Sequence, residues 1–354
     1  MTAKTTTKTS TIHRERLIAV DIMVGLAMVL VVLGHQSVGF EADWYRCELH
    51  EWIYSFHMQA FMFLSAFLIR YSFKGVHTAG EYLQYVWRKF KKFFIPFLIV
   101  GLVIAGAKSE VWNLQSDIWQ WMWHELKQLL TNPMSSEASF LWYIYVLFGF
   151  YIVSPIVISL PSVIKKALCL LSIALVLLPS SYAYCGTLFC KYAFFYFLGI
   201  ICAEGFAELK ETKTWVWGLL SIPFVAWSVW AFATSQWWSL SSILTGIVSL
   251  PAFYFAARLI GHCNCATRVL ERISKDCFWI YLLQMFVVWG LGLLALKYCD
   301  AWVETPWGFA IFAAMSTILG LAIPIGISWL SEKLRFFSAN LTKKTRRSKK
   351  KRPV

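Results

Sequence analysis

The sequence predicts an all-α fold, a polytopic membrane helical bundle of about ten transmembrane helices with both termini cytosolic. Three observations predict it. Of the 354 residues, 58% are hydrophobic and only 15% charged, with a mean hydropathy of +0.59, a balance foreign to soluble domains. Apolar runs recur at about 17–40, 52–72, 93–108, 140–160, 167–182, 191–207, 214–232, 239–260, 277–297 and 307–330. Cations crowd every second gap: Lys74, Arg88, Lys89, Lys91 and Lys92, then Lys165 and Lys166, Lys210 and Lys213, and Arg268, Arg272 and Lys275. The alternate loops hold little beyond Arg46 and Lys127, so the positive-inside rule puts the basic gaps and both ends in the cytosol.

Residues 1–16 are Thr- and Lys-rich and read as a disordered basic cytosolic leader, followed by a first apolar run too long for a cleavable signal. Residues 17–332 form one membrane body without internal repeat or soluble domain. The tail, 333–354, carries ten of the 33 Lys and Arg and contains the run KKTRRSKKKR. Much of the net charge of +14 sits there, which suits anionic membrane lipid; no motif directs it to nucleic acid. The nine Cys lack zinc-finger spacing, so no metal is expected. Cys47, Cys185, Cys190 and Cys299 fall in predicted outer loops, where disulfides can form, and Cys263 and Cys265 in an inner one, where thiols stay reduced.

The first apolar run carries Asp21 and His35. An ionisable residue inside a membrane span is costly and marks function by default. Fourteen residues on a helix separate them by about 21 Å and leave them within about 40° of one face, Asp21 at the inner end and His35 at the outer. The second run brings His57 to the depth of His35. Two readings stay open: both imidazoles line one outer cavity, or His57 donates to a backbone carbonyl between helices. Arg70 reaches the depth of Asp21, but its helical phase turns it away from the first helix, so it reads as a snorkelling boundary cation. The stretch WRKFKKFFIPF before the third run is a basic, aromatic inner-surface segment, suited to headgroups or to the phosphates of a cytosolic cofactor. In the loop 109–139, Trp112, Trp119 and Trp123 share a face with Leu126 and Leu130, which predicts an amphipathic helix on the outer interface. Later spans carry few ionisable or amide groups, chiefly Glu204, Arg258 and Gln284.

Several stretches together resemble the integral-membrane acyltransferase family 3, especially its sugar O-acetyltransferases. They are the first run from Asp21 to His35, SFHMQAFMFLSAFLI at 55–69, WRKFKKFFIPF at 87–97, LWYIYVL at 141–147 and ISKDCFWIYLLQ at 273–284. Their order and spacing match over roughly 17–290. Four positions depart from the family pattern: Val24 replaces its first-helix cation, Gln59 its Pro, Ala66 its Gly and Gln284 its late His.

The resemblance implies transfer of an acyl group, most often acetyl from cytosolic acetyl-CoA, to a hydroxyl of a surface polysaccharide or its lipid-linked precursor. It implies a multi-pass protein of the cell membrane, most often the bacterial inner membrane. His35 is then the general base, since imidazole titrates near neutral pH. Asp21 belongs to an inner polar site or to helix packing. His57, Ser65, Trp142, Tyr143 and Tyr281 would bind substrate, several of them as donors to the tetrahedral oxyanion. Arg88 and Lys89 would hold the CoA phosphates. The same polar residues would also suit a glycan or metabolite transporter, or a structural partner within a glycan-assembly complex.

Overall fold

The computed structural model describes residues 4–36, 45–73, 75–108, 118–175, 185–234 and 241–349, and it is helical throughout with no strand among them. The chain opens with α1 (Lys4–Gly34), then a π-helical turn (Tyr45–His50), α2 (Glu51–Tyr54), α3 (His57–Ser72) and α4 (Ala79–Lys89). A second π-helical turn (Phe90–Phe94) leads into α5 (Ile95–Lys108), followed by α6 (Ile118–Thr131). The middle of the bundle is α7 (Trp142–Ser159), α8 (Ser162–Leu175), α9 (Gly186–Glu204), α10 (Phe206–Glu211) and α11 (Thr214–Thr234). It closes with α12 (Ser241–Ile260), α13 (Asn264–Tyr298), α14 (Asp300–Val303) and α15 (Pro306–Lys349).

Eight helical stretches among the described residues are long and apolar enough to cross a bilayer, and Ile18–Gly34 is a shorter apolar helix. Nine of the ten apolar runs thus correspond to these helices, and the tenth to the fourteen residues of α8. Several helices reach beyond their apolar runs: α13 begins at Asn264 and the stretch that includes α5 at Ala79. Helix α1 begins at Lys4, inside the leader, and α15 runs on to Lys349, inside the basic tail. Neither extension contains Gly or Pro, so each helix propagates from its apolar core.

Helices α1, α3 and α13 form the centre. Helix α3 packs on α9 and α1, and α13 on α1 and α15. With no hydrophobic force between helices in lipid, close approach depends on small residues. A Cβ on Gly199 would lie 2.3 Å from the Phe63 carbonyl oxygen, and one on Gly25 2.6 Å from that of Leu270. Those two glycines set the α3–α9 and α1–α13 contacts.

Polar side chains at the ends of spans are largely paired. Arg70, expected to snorkel alone, donates from Nε to Glu204 Oε1 at 2.9 Å, and buried Lys165 bonds the same carboxylate oxygen. The partner came from α9, which the phase of α3 faces. The expected amphipathic helix is α6: Trp119 and Trp123 are exposed, whereas Glu125 and Leu129 are buried, with Leu129 against Gly101 of α5. Trp112 lies outside the described residues, as does the side chain of Cys47. Cys185, Cys190 and Cys299 are free thiols.

Candidate active site

The first-helix pair is separated as expected, and each member has a distinct partner. Asp21 Oδ1 accepts a hydrogen bond from Ser274 Oγ of α13 at 3.1 Å. His35, just past the end of α1, places Nδ1 3.3 Å from the Tyr54 hydroxyl. Tyr54 is the hub of a histidine cluster. Its ring stacks on His50 with centroids 4.0 Å apart and meets His57 edge-on at 4.8 Å. The buried His57 donates from Nδ1 to the Ile53 carbonyl at 2.6 Å. A carbonyl only accepts, so Nδ1 carries a proton, and in the neutral ring Nε2 is the unprotonated nitrogen. Of the two readings of His57, the backbone hydrogen bond is realised, within its own turn rather than between helices.

A cavity of about 330 Å³ opens lower in the bundle, within the size of small-molecule sites. Ser65 of α3, Tyr143 and Tyr151 of α7, and Ser274 and Tyr281 of α13 are its hydroxyl-bearing residues, with Val24, Lys92 and Lys275 among the other walls. Three expected substrate residues therefore meet in one chamber. Tyr143 Oη lies 2.6 Å from Ser65 Oγ and donates at 3.4 Å to the Phe61 carbonyl, and the Tyr143 and Tyr281 rings are 5.6 Å apart. Trp142 and His57 are not among the lining residues. Trp142 stacks on Tyr192, with centroids 5.3 Å apart.

Phe140 connects this chamber to the histidine cluster. The Tyr281 hydroxyl donates to the Phe140 carbonyl, and the Phe140 ring stands edge-on to His35 with centroids 6.2 Å apart.

The basic end is built differently from expectation. Arg88 is exposed and is not a lining residue. Lys89 lies over the Tyr151 ring at 4.0 Å and near those of Tyr85 and Phe93, a cation–π nest on the outside of the chamber wall. The cations that line the chamber are Lys92 and Lys275. Lys275 is engaged by Glu332 at 3.1 Å, whereas Lys92 makes no ion pair among the described residues. Val24, where the related pattern has a cation, faces the same space. The positive charge there comes from the turn before α5 and from α13 instead.

Two buried groups stand apart. Gln284 makes no hydrogen bond through either amide atom among the described residues, and Asp276 is held by Arg272 at 2.6 Å and Ser328 at 2.7 Å. No group of three or more His, Cys, Asp or Glu among the described residues is arranged to hold a metal.

Comparison with known proteins returns no curated protein and no solved structure that matches. A family model described as an acyltransferase domain matches residues 17–329, which takes in α1, the chamber and all but the end of the membrane body. The chain belongs to the acyltransferase 3 family of multi-pass membrane acyltransferases.

Proposed function

We propose that this acyltransferase moves acetyl from acetyl-CoA to a hydroxyl of a cell-surface polysaccharide or of its lipid-linked precursor, in a bacterial plasma membrane with both chain ends cytosolic. The observation that carries this reading is one chamber that holds both Lys92 and Lys275 and the hydroxyls of Tyr143 and Tyr281, linked through Phe140 to His35. The excess of cations in the gaps that share a side with both termini supports the orientation.

In this reading Lys92, aided by Lys275, draws in the CoA phosphates, and Lys89 and Arg88 contribute charge around the mouth. The pantetheine arm lies along the chamber, with the thioester towards Tyr143 and Tyr281. His35 takes the proton of the acceptor hydroxyl as its oxygen attacks the thioester carbonyl. The tetrahedral oxyanion accepts hydrogen bonds from hydroxyls now bonded to Phe61 and Phe140, which exchange partners as it forms. Collapse breaks the carbon–sulfur bond, and the departing thiolate recovers a proton from the His35 imidazolium. For His35 Nε2 to act as base, Nδ1 must carry the proton and donate to the Tyr54 oxygen. Tyr54 is then the residue that orients the base. Asp21 holds the lower wall through Ser274.

Mass spectrometry of surface glycan from a strain lacking the gene tests the reaction. Missing acetyl groups on correctly exported glycan are expected. Intact acetylation with glycan retained inside would instead identify a transporter.

A further inference from the structure

A second cavity, of about 220 Å³, lies between α1, α3, α9, α10, α11 and α12, away from the hydroxyl-lined chamber. Its walls are almost wholly apolar and include Phe67, Leu198, Leu209, Trp217, Leu250 and Tyr254. Among the polar atoms of its lining residues, one ring nitrogen is left without a partner. The Trp217 indole N–H is buried and has no hydrogen-bond partner among the described residues, while its ring meets Tyr254 edge-on at 4.7 Å. A buried donor without an acceptor is costly, and the more so in hydrocarbon.

Beside the same walls stands a cation. Arg258 follows Tyr254 by one turn of α12, so the two share a helix face. Its guanidinium donates to the Thr214 hydroxyl at 3.0 Å and to the Lys210 carbonyl at 3.3 Å. Thr214 stands one turn before Trp217, and Lys210 directly follows Leu209. Arg258 is thus anchored to the three segments that supply Tyr254, Trp217 and Leu209. Both its partners are neutral, it makes no ion pair among the described residues, and it is only half-buried. A guanidinium has five donors, and a phosphate is its natural bidentate acceptor.

We propose that this cavity is a binding site for a membrane glycerophospholipid. One acyl chain enters the apolar space, the Trp217 N–H donates to the ester carbonyl, and Arg258 holds the phosphate. The order of the three features, hydrocarbon wall, unpartnered indole donor, then cation, follows the order of groups along such a lipid. A free anion would have no use for the apolar walls, and a plain hydrocarbon none for Trp217 and Arg258.

The test uses the full-length protein in nanodiscs containing phosphatidylglycerol with a diazirine in one acyl chain, and in parallel a diazirine fatty alcohol without phosphate. Adducts are mapped by peptide mass spectrometry. The lipid probe is expected to label the 198–217 and 247–254 segments well above the outward faces of α11 and α15, and the alcohol at least fivefold less. Arg258→Gln should lower the lipid adduct about fivefold and Trp217→Phe about threefold, while Leu250→Trp, which fills the space, should remove it. Because the last variant risks misfolding, the first two decide the matter. Labelling unchanged by both, equal labelling by the alcohol, or adducts spread evenly over the outer faces overturns the proposal.

Discussion

The Tyr54 hydroxyl meets Nδ1 of His35 at 3.3 Å, while the same tyrosine ring stacks on His50. That contact engages Nδ1, and in the proposed mechanism Nδ1 donates to Tyr54 and Nε2 acts as the base. Tyr54→Phe keeps the ring and removes the hydroxyl. The lost hydrogen bond is worth about 1 kcal/mol, so kcat should fall roughly fivefold with KM for acetyl-CoA unchanged. Steady-state kinetics checks this, and in a His35→Ala background the same change should have no further effect.

Lys92 lines the chamber, whereas Arg88 is exposed beyond it. Lys92→Gln should raise KM for acetyl-CoA about tenfold through loss of a charge-assisted contact to phosphate. Arg88→Gln should change it by no more than about twofold, the measure of a screened surface charge. Direct binding of acetyl-CoA by calorimetry separates the two.

Glu204 accepts from both Arg70 and Lys165. Glu204→Gln removes the carboxylate they share and takes from the buried Lys165 ammonium its counter-charge among the described residues. A loss of about 2 kcal/mol is expected, as for hydrogen bonds to charged groups. It should appear as a lower melting temperature in detergent.

Glycines separate by what surrounds them. Gly199→Ala drives a methyl into the Phe63 carbonyl and should destabilise by about 1–3 kcal/mol. Gly326, inside α15, has nothing within 4 Å of a built Cβ. Gly326→Ala should be neutral or stabilise by up to about 1 kcal/mol. Thermal melts of the two variants side by side decide whether α3–α9 contact is set by Gly199.

Much of the fold was legible because bilayer thickness forces long apolar runs, and the first span could be placed by hydropathy alone. Ser65, Tyr143 and Tyr281 were singled out by the motifs that contain them, and they line one chamber. Lys92 was harder to single out. The turn Phe90–Phe94 is π-helical, so the phase of α4 does not carry through to α5 and cannot say which lysine of the run faces inward. Tyr54 was missed for a related reason. It ends the four-residue α2 between a π-helical turn and α3, where no periodicity marks a face. The Arg70–Glu204 pair joins residues 134 positions apart, and only the packing of α3 on α9 reveals it.

The most direct test of the account is the acetyl content of surface glycan in cells expressing His35→Ala at wild-type level. Loss of general-base catalysis should lower acetylation by about 100-fold or more, with glycan export intact. Acetylation equal to wild type would contradict His35 as the base.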